Sequence, residues 1–235
     1  KKLCPYLMNA KNSLEVVELL KNKNLWDDKT LWKNYGNKEG SYGTANNQGD
    51  ALFALTEKIT NGVDAVLMSK CFEDKMHPKS GDKNLPKTPL EAINRYFETD
   101  KEIKEYKNKY KRTLFGDDMD DLKGQQVYWD DKKTKALAEN ICVAVGGDDK
   151  QGKWPNVAIV DKGEGQTPEK LPHTIMSLHV GNKTGVNFAQ GKWNQGGSGA
   201  IVHCGGDNGI HLQFVLTKRN PKIIKNFHKE QTPKF

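Results

Sequence analysis

The chain has 235 residues, a formal net charge of +7, 35% apolar side chains and a mean hydropathy of −0.80. That length buries a sizeable core, as one large domain or as one and a half small ones, and the polarity predicts long solvated loops or insertions beside it. No run of eighteen apolar residues supports a membrane span, and the opening Lys1-Lys-Leu-Cys-Pro5 lacks the apolar stretch and cleavage site of a signal peptide.

Cys4, Cys71, Cys142 and Cys204 lie far apart with no C-x-x-C pair. Neither a zinc site nor a disulfide framework follows, and reduced thiols in a cytoplasmic protein are expected. The first residue is Lys rather than Met, so the expectation is a piece of a longer chain. Most of the excess charge sits in residues 217–235, where Lys218, Arg219, Lys222, Lys225, Lys229 and Lys234 face one acid, Glu230. Such a tail can contact nucleic-acid phosphates, or it can be a solubilising end or a link to a further domain.

In chain order, residues 12–23 read as a helix, with Asn12 as cap, Glu15 three residues on, and Leu14, Val17 and Leu20 at helical spacing. Residues 34–49 are a Gly/Asn-rich loop. The clearest helix covers 50–68, capped by Asp50, with Leu52, Leu55, Ile59, Val63 and Val66 as one apolar stripe. Gly62 costs this helix about 1 kcal/mol against Ala, which points to a close approach by a ligand or a neighbouring strand. Residues 69–135 are rich in Lys and Asp, and Pro78, Pro86 and Pro89 punctuate them. They predict helices near 88–98 and 100–114, the second with Ile103, Tyr106, Tyr110 and Leu114 on one stripe. Asp117, Asp118, Asp120 and Asp121 lack EF-hand spacing and read as a solvated turn. A β-hairpin follows, with strands at 141–145 and 157–160. A short helix over 168–178, a Gly-rich loop over 191–199 and strands at 200–204 and 210–217 complete the reading.

Three patterns carry chemistry. Glu57, Asn61 and Asp64 are spaced four and three apart, so they share one helix face beside the apolar stripe. A carboxylate, a carboxamide and a second carboxylate on one face suit Mg²⁺ and water chemistry, because Mg²⁺ takes oxygen ligands and few of them from protein. Taken alone, they also fit a solvated polar stripe. Asp161-Lys-Gly163-Glu-Gly165 follows a strand directly. An Asp there can accept from an amino group, and the glycines let the backbone approach a ligand or take φ > 0; a plain turn is the alternative. Gly191, Gly196, Gly197 and Gly199 make a loop whose N–H groups can cradle phosphates, or a plain flexible loop.

Other nucleotide and catalytic motifs fail. Lys183-Thr184 follows Gly181-Asn182, and Met176 stands where a Walker A glycine is needed. A Rossmann turn needs G-x-G-x-x-G, and Gly163-Glu-Gly165 is followed three residues later by Pro168. No G-x-S-x-G and no kinase set occurs. His173, His179, His203 and His211 match no metal spacing.

The order of the three patterns, E-x-x-x-N-x-x-D-A on a helix, D-x-G-x-G after a strand and a Gly-rich lid, closed by Thr217 at the end of a late strand, resembles the motif set of the GHKL ATPases. That family includes gyrase B subunits, MutL-type repair proteins, heat-shock chaperones and histidine kinases. The resemblance spans residues 50–217. It implies a Bergerat fold over the whole chain: a two-layer α/β sandwich with helices on one face of a mixed, mostly antiparallel sheet. Residues 1–49 would be an N-terminal extension and about 69–135 a helical insertion, with a further domain after residue 235.

The same resemblance assigns roles. Glu57 resembles the general base that activates water, Asn61 the Mg²⁺ ligand, and Asp64 the acid that supports the pocket from the same helix. Asp161 resembles the acceptor of the adenine amino group, with Gly163 and Gly165 shaping the adenine wall and Thr217 assisting Asp161. Gly191, Gly196, Gly197 and Gly199 look like the lid around the phosphates. ATP and Mg²⁺ are the implied ligands, and ATP hydrolysis as a module of a larger protein, in DNA repair or phage defence, is the implied activity. The chain departs from the family in its long Asn61–Asp161 interval and in Asn194, where a lid Gly is common. No pocket motif lies in 69–135, so removing about 72–133 is expected to leave ATP affinity within about tenfold. The second reading is a nucleotide-gated interaction module that binds ATP, closes its lid and forms a homodimer or pairs with a partner, with little hydrolysis. The third, a plain nucleic-acid-binding protein, rests on the basic residues of 217–235 and the 100–114 helix.

Overall fold

The computed structural model describes residues 2–34, 49–98, 131–146, 156–175, 183–191, 199–205 and 209–227. Helix α1 (Cys4–Asn9) starts on Pro5 and leads into α2 (Ser13–Asn22). Asn12 caps α2 by accepting from the Glu15 N–H at 3.0 Å, and the Glu15 carboxylate accepts from the Lys11 N–H at 2.8 Å. Two donors that the helix cannot use are thereby satisfied reciprocally. The Asn156 side chain donates to the Ala10 and Lys11 carbonyls at 2.9 Å each, which ties this N-terminal segment to the β-sheet.

Asp50 caps α3 (Ala51–Glu73), accepting from the Leu52 N–H at 2.7 Å and the Phe53 N–H at 3.4 Å. The helix runs past the expected end at 68 because Ser69, Cys71 and Phe72 remain buried. The expected single apolar stripe holds only in part. Leu52 and Phe53 are exposed at the start of α3, whereas Val66, Leu67, Met68, Cys71 and Phe72 are buried around its second half. Helix α4 (Pro89–Phe97) repeats the capping logic: Thr88 accepts from the Glu91 N–H at 3.1 Å, and Glu91 accepts from the Lys87 N–H at 2.7 Å.

The core lies between these two helices and a later strap of chain. Leu67, Met68 and Cys71 from α3, Ala92 from α4, and Val186, Phe188 and Ala189 form one buried cluster. Full burial of a side chain such as Phe188 or Leu67 stabilises by about 1.5–3 kcal/mol. Residues 69–97, expected to belong to an insertion, therefore supply part of the core itself.

After α5 (Asp131–Ala138), strands β1 (Ile141–Gly146) and β2 (Asn156–Asp161) pair antiparallel, with Ile141 opposite Asp161 and Gly146 opposite Asn156. The hairpin forms as expected, and α3 packs against it. The later elements differ from expectation. A 3₁₀ turn, Leu171–His173, replaces the described part of the helix expected over 168–178, since Pro172 has no N–H to continue an α-helical ladder. The strand expected at 200–204 is instead a 3₁₀ turn, Ile201–His203, closed by His203 N–H to Ala200 and Cys204 N–H to Ile201. The strand expected at 210–217 is reduced to one antiparallel bridge, Gly205 to His211. Helix α6 (Pro221–Asn226) was not expected, although Asn220-Pro221 is its signal: Asn220 caps the Lys222 N–H at 3.0 Å and Pro221 takes the first helical position.

The described residues thus form a mixed α/β structure with six α-helices and a two-stranded antiparallel sheet. The 100–114 helix, the acidic cluster at 117–121 and most of the 34–49 loop lie outside the described residues. Among the described residues, no helix is long and apolar enough to cross a membrane.

Candidate functional site

Helix α3 meets two later segments of chain, the first on its polar face and the second beside it on Gly62 and Ala65. Asp64 is completely buried. Its Oδ1 accepts from the Gln190 N–H at 2.9 Å, and its Oδ2 accepts from the Gly191 N–H at 2.9 Å and from Lys183 Nζ at 2.8 Å. One turn earlier, Asn61 Oδ1 accepts from the same ammonium at 2.7 Å. A buried carboxylate is stable only when its lone pairs are occupied, and stripping one partner from such a pair costs on the order of 3–5 kcal/mol. Asp64 is therefore the peg that fixes the strap 183–191 onto α3. A Cβ on Gly191 would stand 2.8 Å from Asn61 Oδ1, so a larger residue there would push the carboxamide aside.

Glu57 lies one turn before Asn61, half-buried, and its Oε2 is buried with no hydrogen bond among the described residues. The neighbouring Lys58 turns elsewhere: its Nζ donates to Gln213 Oε1 at 3.3 Å. Burial holds the Lys58 ammonium below the usual lysine range, partly offset by Cys204 and Glu57.

The second segment leaves β2. Asp161 Oδ1 accepts from the Gly163 N–H at 2.9 Å, which turns the chain back across α3. A Cβ on Gly62 would lie 3.5 Å from the Asp161 Cβ and 3.9 Å from its Oδ2, so the close approach that Gly62 suggested is made by the end of β2. Ala65, in mid-helix, gives its carbonyl to the Glu164 N–H at 3.1 Å. Contact there is so close that a Cβ on Gly163 would fall 2.5 Å from the Ala65 Cβ.

Residues 217–220 close the other side. Thr217 Oγ1 accepts from the Gln166 N–H at 3.0 Å, and the Asn220 N–H donates to the Glu164 carbonyl at 3.0 Å. Gly165 has φ +64°, and a Cβ on it would overlap the Lys218 carbonyl oxygen at 1.9 Å. Arg219 is 5% exposed, pairs with the Glu164 carboxylate, donates to the Gly165 carbonyl at 3.1 Å and stacks over Phe72 at 5.1 Å. Arg219 is thus spent inside the fold and is removed from the basic tail; Lys218, Lys222 and Lys225 remain exposed.

Of the residues singled out in the sequence, Asn61, Asp64 and Gly191 meet on one face of α3, where Glu57 lies one turn earlier; the Asp161–Gly165 turn packs beside them on Gly62 and Ala65, and Thr217 holds that turn through Gln166. Thr217 does so from an irregular segment, not from the strand expected to carry it. Gly199 is buried, and Gly196 and Gly197 lie outside the described residues. Sequence reasoning missed Lys183, Glu164 and Arg219. In the sequence Lys183 stands out only as part of a failed Walker A pattern, and the Glu164–Arg219 pair bridges 55 positions with no periodic signal. Among the described residues, no three His, Cys, Asp or Glu side chains converge as a metal-ligand group. The Asn61–Asp64 oxygens do gather a cation, the Lys183 ammonium, so their donor chemistry fits a positive charge. No family model, curated protein or solved structure matches the chain.

Proposed function

We propose that this chain binds ATP with Mg²⁺ in a GHKL-type pocket and, within a larger protein, hydrolyses ATP to ADP and phosphate. The observation that carries the proposal is the buried Asp64 carboxylate, which holds the first lid glycine, Gly191, against the face that bears Asn61 and Glu57. The adenine side of the pocket is the Asp161–Gly165 turn, supported by Thr217 through Gln166. In this reading β1, β2 and α3 belong to the two-layer Bergerat sandwich.

Asp161 then accepts the adenine amino group, and Gly163 and Gly165 let the turn that carries it pack closely on Ala65 and Lys218. Asn61 Oδ1 would hold Mg²⁺ on this face, and the ion would draw negative charge off the phosphates. Glu57 takes a proton from the water whose oxygen attacks the γ-phosphorus as the bond to the β-phosphate oxygen breaks. Its Oε2, buried without a donor among the described residues, favours this role over that of ordinary surface.

Exposed apolar side chains favour a second reading, the nucleotide-gated interaction module. Leu52 and Phe53 at the start of α3, and Val145 and Val160 on the sheet, lie 58–70% exposed. A partner or second copy that covered them would gain apolar burial. Calorimetry separates these readings from plain nucleic-acid binding. The wild-type chain should bind ATP in the presence of Mg²⁺, and Asp161→Asn should lose about 1–3 kcal/mol of that affinity, because an amide can present N–H where an acceptor is needed. Wild-type affinity in Asp161→Asn would remove Asp161 from the site; no ATP binding by the wild type would end the proposal.

A further inference from the structure

Lys183 places a protein-borne cation at the oxygen assigned to the metal. Its Nζ is 2.7 Å from Asn61 Oδ1 and 2.8 Å from Asp64 Oδ2, with its side chain 18% exposed and that of Asp64 fully buried. We propose that Lys183 is the resident counter-ion of this cation seat: it closes the seat to divalent cations in the nucleotide-free chain and swings out when a cation enters together with nucleotide. The inference rests on the reading of Asn61 as a cation ligand.

Three features support it. A carboxamide oxygen has two acceptor positions, and the ammonium takes one of them in the crowded space between Asn61, Asp64 and Gly191. A Cβ built on Gly191 would stand 3.3 Å from Lys183 Nζ and 2.8 Å from Asn61 Oδ1, so the ammonium and the carboxamide are packed directly against the backbone of Gly191. A divalent cation at Asn61 Oδ1 would sit within a few ångströms of that ammonium, and two positive centres so close inside a protein repel strongly. The two cannot share the seat.

The surroundings let the lysine leave without loss of the fold. Its strap is fixed independently, by Val186, Phe188 and Ala189 in the core and by the Gln190 and Gly191 N–H groups on Asp64. When the ammonium departs, Asp64 keeps those two donors, and the entering cation replaces the positive charge beside it, so the buried carboxylate does not lose its ionic partner. The four-carbon stem moves while the backbone stays, and the phosphates of an incoming nucleotide offer new acceptors for the displaced charge. Divalent cation and nucleotide are thereby coupled: each raises the affinity for the other.

The test uses Mn²⁺, read by electron paramagnetic resonance, as the divalent probe on the full chain without nucleotide. Lys183→Met should bind Mn²⁺ at least about tenfold more tightly than wild type. Lys183→Arg, which keeps the charge, should resemble wild type, and adding Asn61→Ala to Lys183→Met should abolish the gain. Equal Mn²⁺ affinity in wild type and Lys183→Met overturns the proposal. Circular dichroism checks the fold. Should Lys183→Met fail to fold, Lys183→Gln takes its place; if neither folds, the ammonium is a fixed structural charge that cannot leave, and the proposal is likewise overturned. Binding of ATP with Mg²⁺ to the wild type is measured in parallel: its absence would sink the nucleotide reading, while the Mn²⁺ comparison still decides whether Lys183 guards the seat.

Discussion

Glu57 and Asn61 stand one turn apart on α3, yet their oxygens keep different company. Asn61 Oδ1 is engaged with a cation, whereas Glu57 Oε2 is buried with no hydrogen bond among the described residues. An unsatisfied buried oxygen costs about 1–3 kcal/mol, a cost that a water or ligand donor would relieve. The two residues should therefore fail differently. Glu57→Ala removes a base but no ligand of bound nucleotide, so it should keep ATP affinity and lower turnover by the full protein about 10²–10⁴-fold. Asn61→Ala removes the cation contact and should weaken Mg²⁺-dependent ATP binding itself. Calorimetry and phosphate release on the two variants give the answer; one shared phenotype, both active or both unfolded, would mean that this face is ordinary surface or ordinary core. Spacing made the face legible in the sequence. It did not reveal that Asp64 is a buried peg, because the Gln190 N–H that Asp64 receives lies 126 positions away, and periodicity reports only on residues of the same element.

At the scale of elements, the turn after β2 works as a clip between α3 and residues 217–220. Two glycines set its thickness, and their surroundings separate them from Gly62. A Cβ on Gly165 would overlap the Lys218 carbonyl at 1.9 Å in a positive-φ conformation, whereas a Cβ on Gly62 would make ordinary contact at 3.5 Å. Gly165→Ala should thus destabilise the fold by about 2–5 kcal/mol, adding left-handed backbone strain to overpacking. Gly62→Ala should be neutral or stabilising by up to about 1 kcal/mol through helix propensity. Urea unfolding monitored by circular dichroism compares the two, and equal losses would show that the clip is not tight. Helices α2, α3 and α4 were legible because each starts on a capping side chain, and the β1–β2 hairpin because its strands are short and apolar. The segments at 200–204 and 210–217 share that apolar character, but strand formation needs a hydrogen-bonding partner, and β propensity cannot say whether one is there. The Gln166 N–H donates to the Thr217 hydroxyl oxygen and the Glu164 carbonyl accepts from the Asn220 N–H, so the chain near Thr217 is held by side chain and turn rather than by a ladder.

For the whole molecule, the question is which part of the long interval between Asn61 and Asp161 the fold can lose. Its Lys/Asp-rich composition and its lack of pocket motifs make all of about 72–133 look dispensable, but composition averages over residues with different fates. Ala92 is completely buried against the Leu67–Cys71 turn of α3 and Phe188, and Met76, Leu85, Ile93, Tyr96 and Phe97 pack around that cluster. Phe72, 3% exposed, carries the Arg219 stack and a ring contact with Phe227. Excision of 72–133 removes all of these, and loss of even one large buried aromatic costs about 3–5 kcal/mol against a typical total stability of about 5–15 kcal/mol. That variant should not fold, and the expected tenfold tolerance in ATP affinity gives way to no binding at all. A cut confined to 99–130 is different, because it keeps α4, α5 and every core contact named above. The two sides of that cut are already joined: Lys133 Nζ pairs with Glu98 Oε2 at 2.9 Å, and the Glu98 side chain is fully buried. A short Gly/Ser bridge across 99–130 should therefore leave a cooperatively unfolding protein with ATP affinity within about tenfold of wild type. Thermal unfolding and calorimetry on the two excisions test this; folding of the 72–133 deletion, or collapse of the 99–130 deletion, would place the boundary of the core elsewhere.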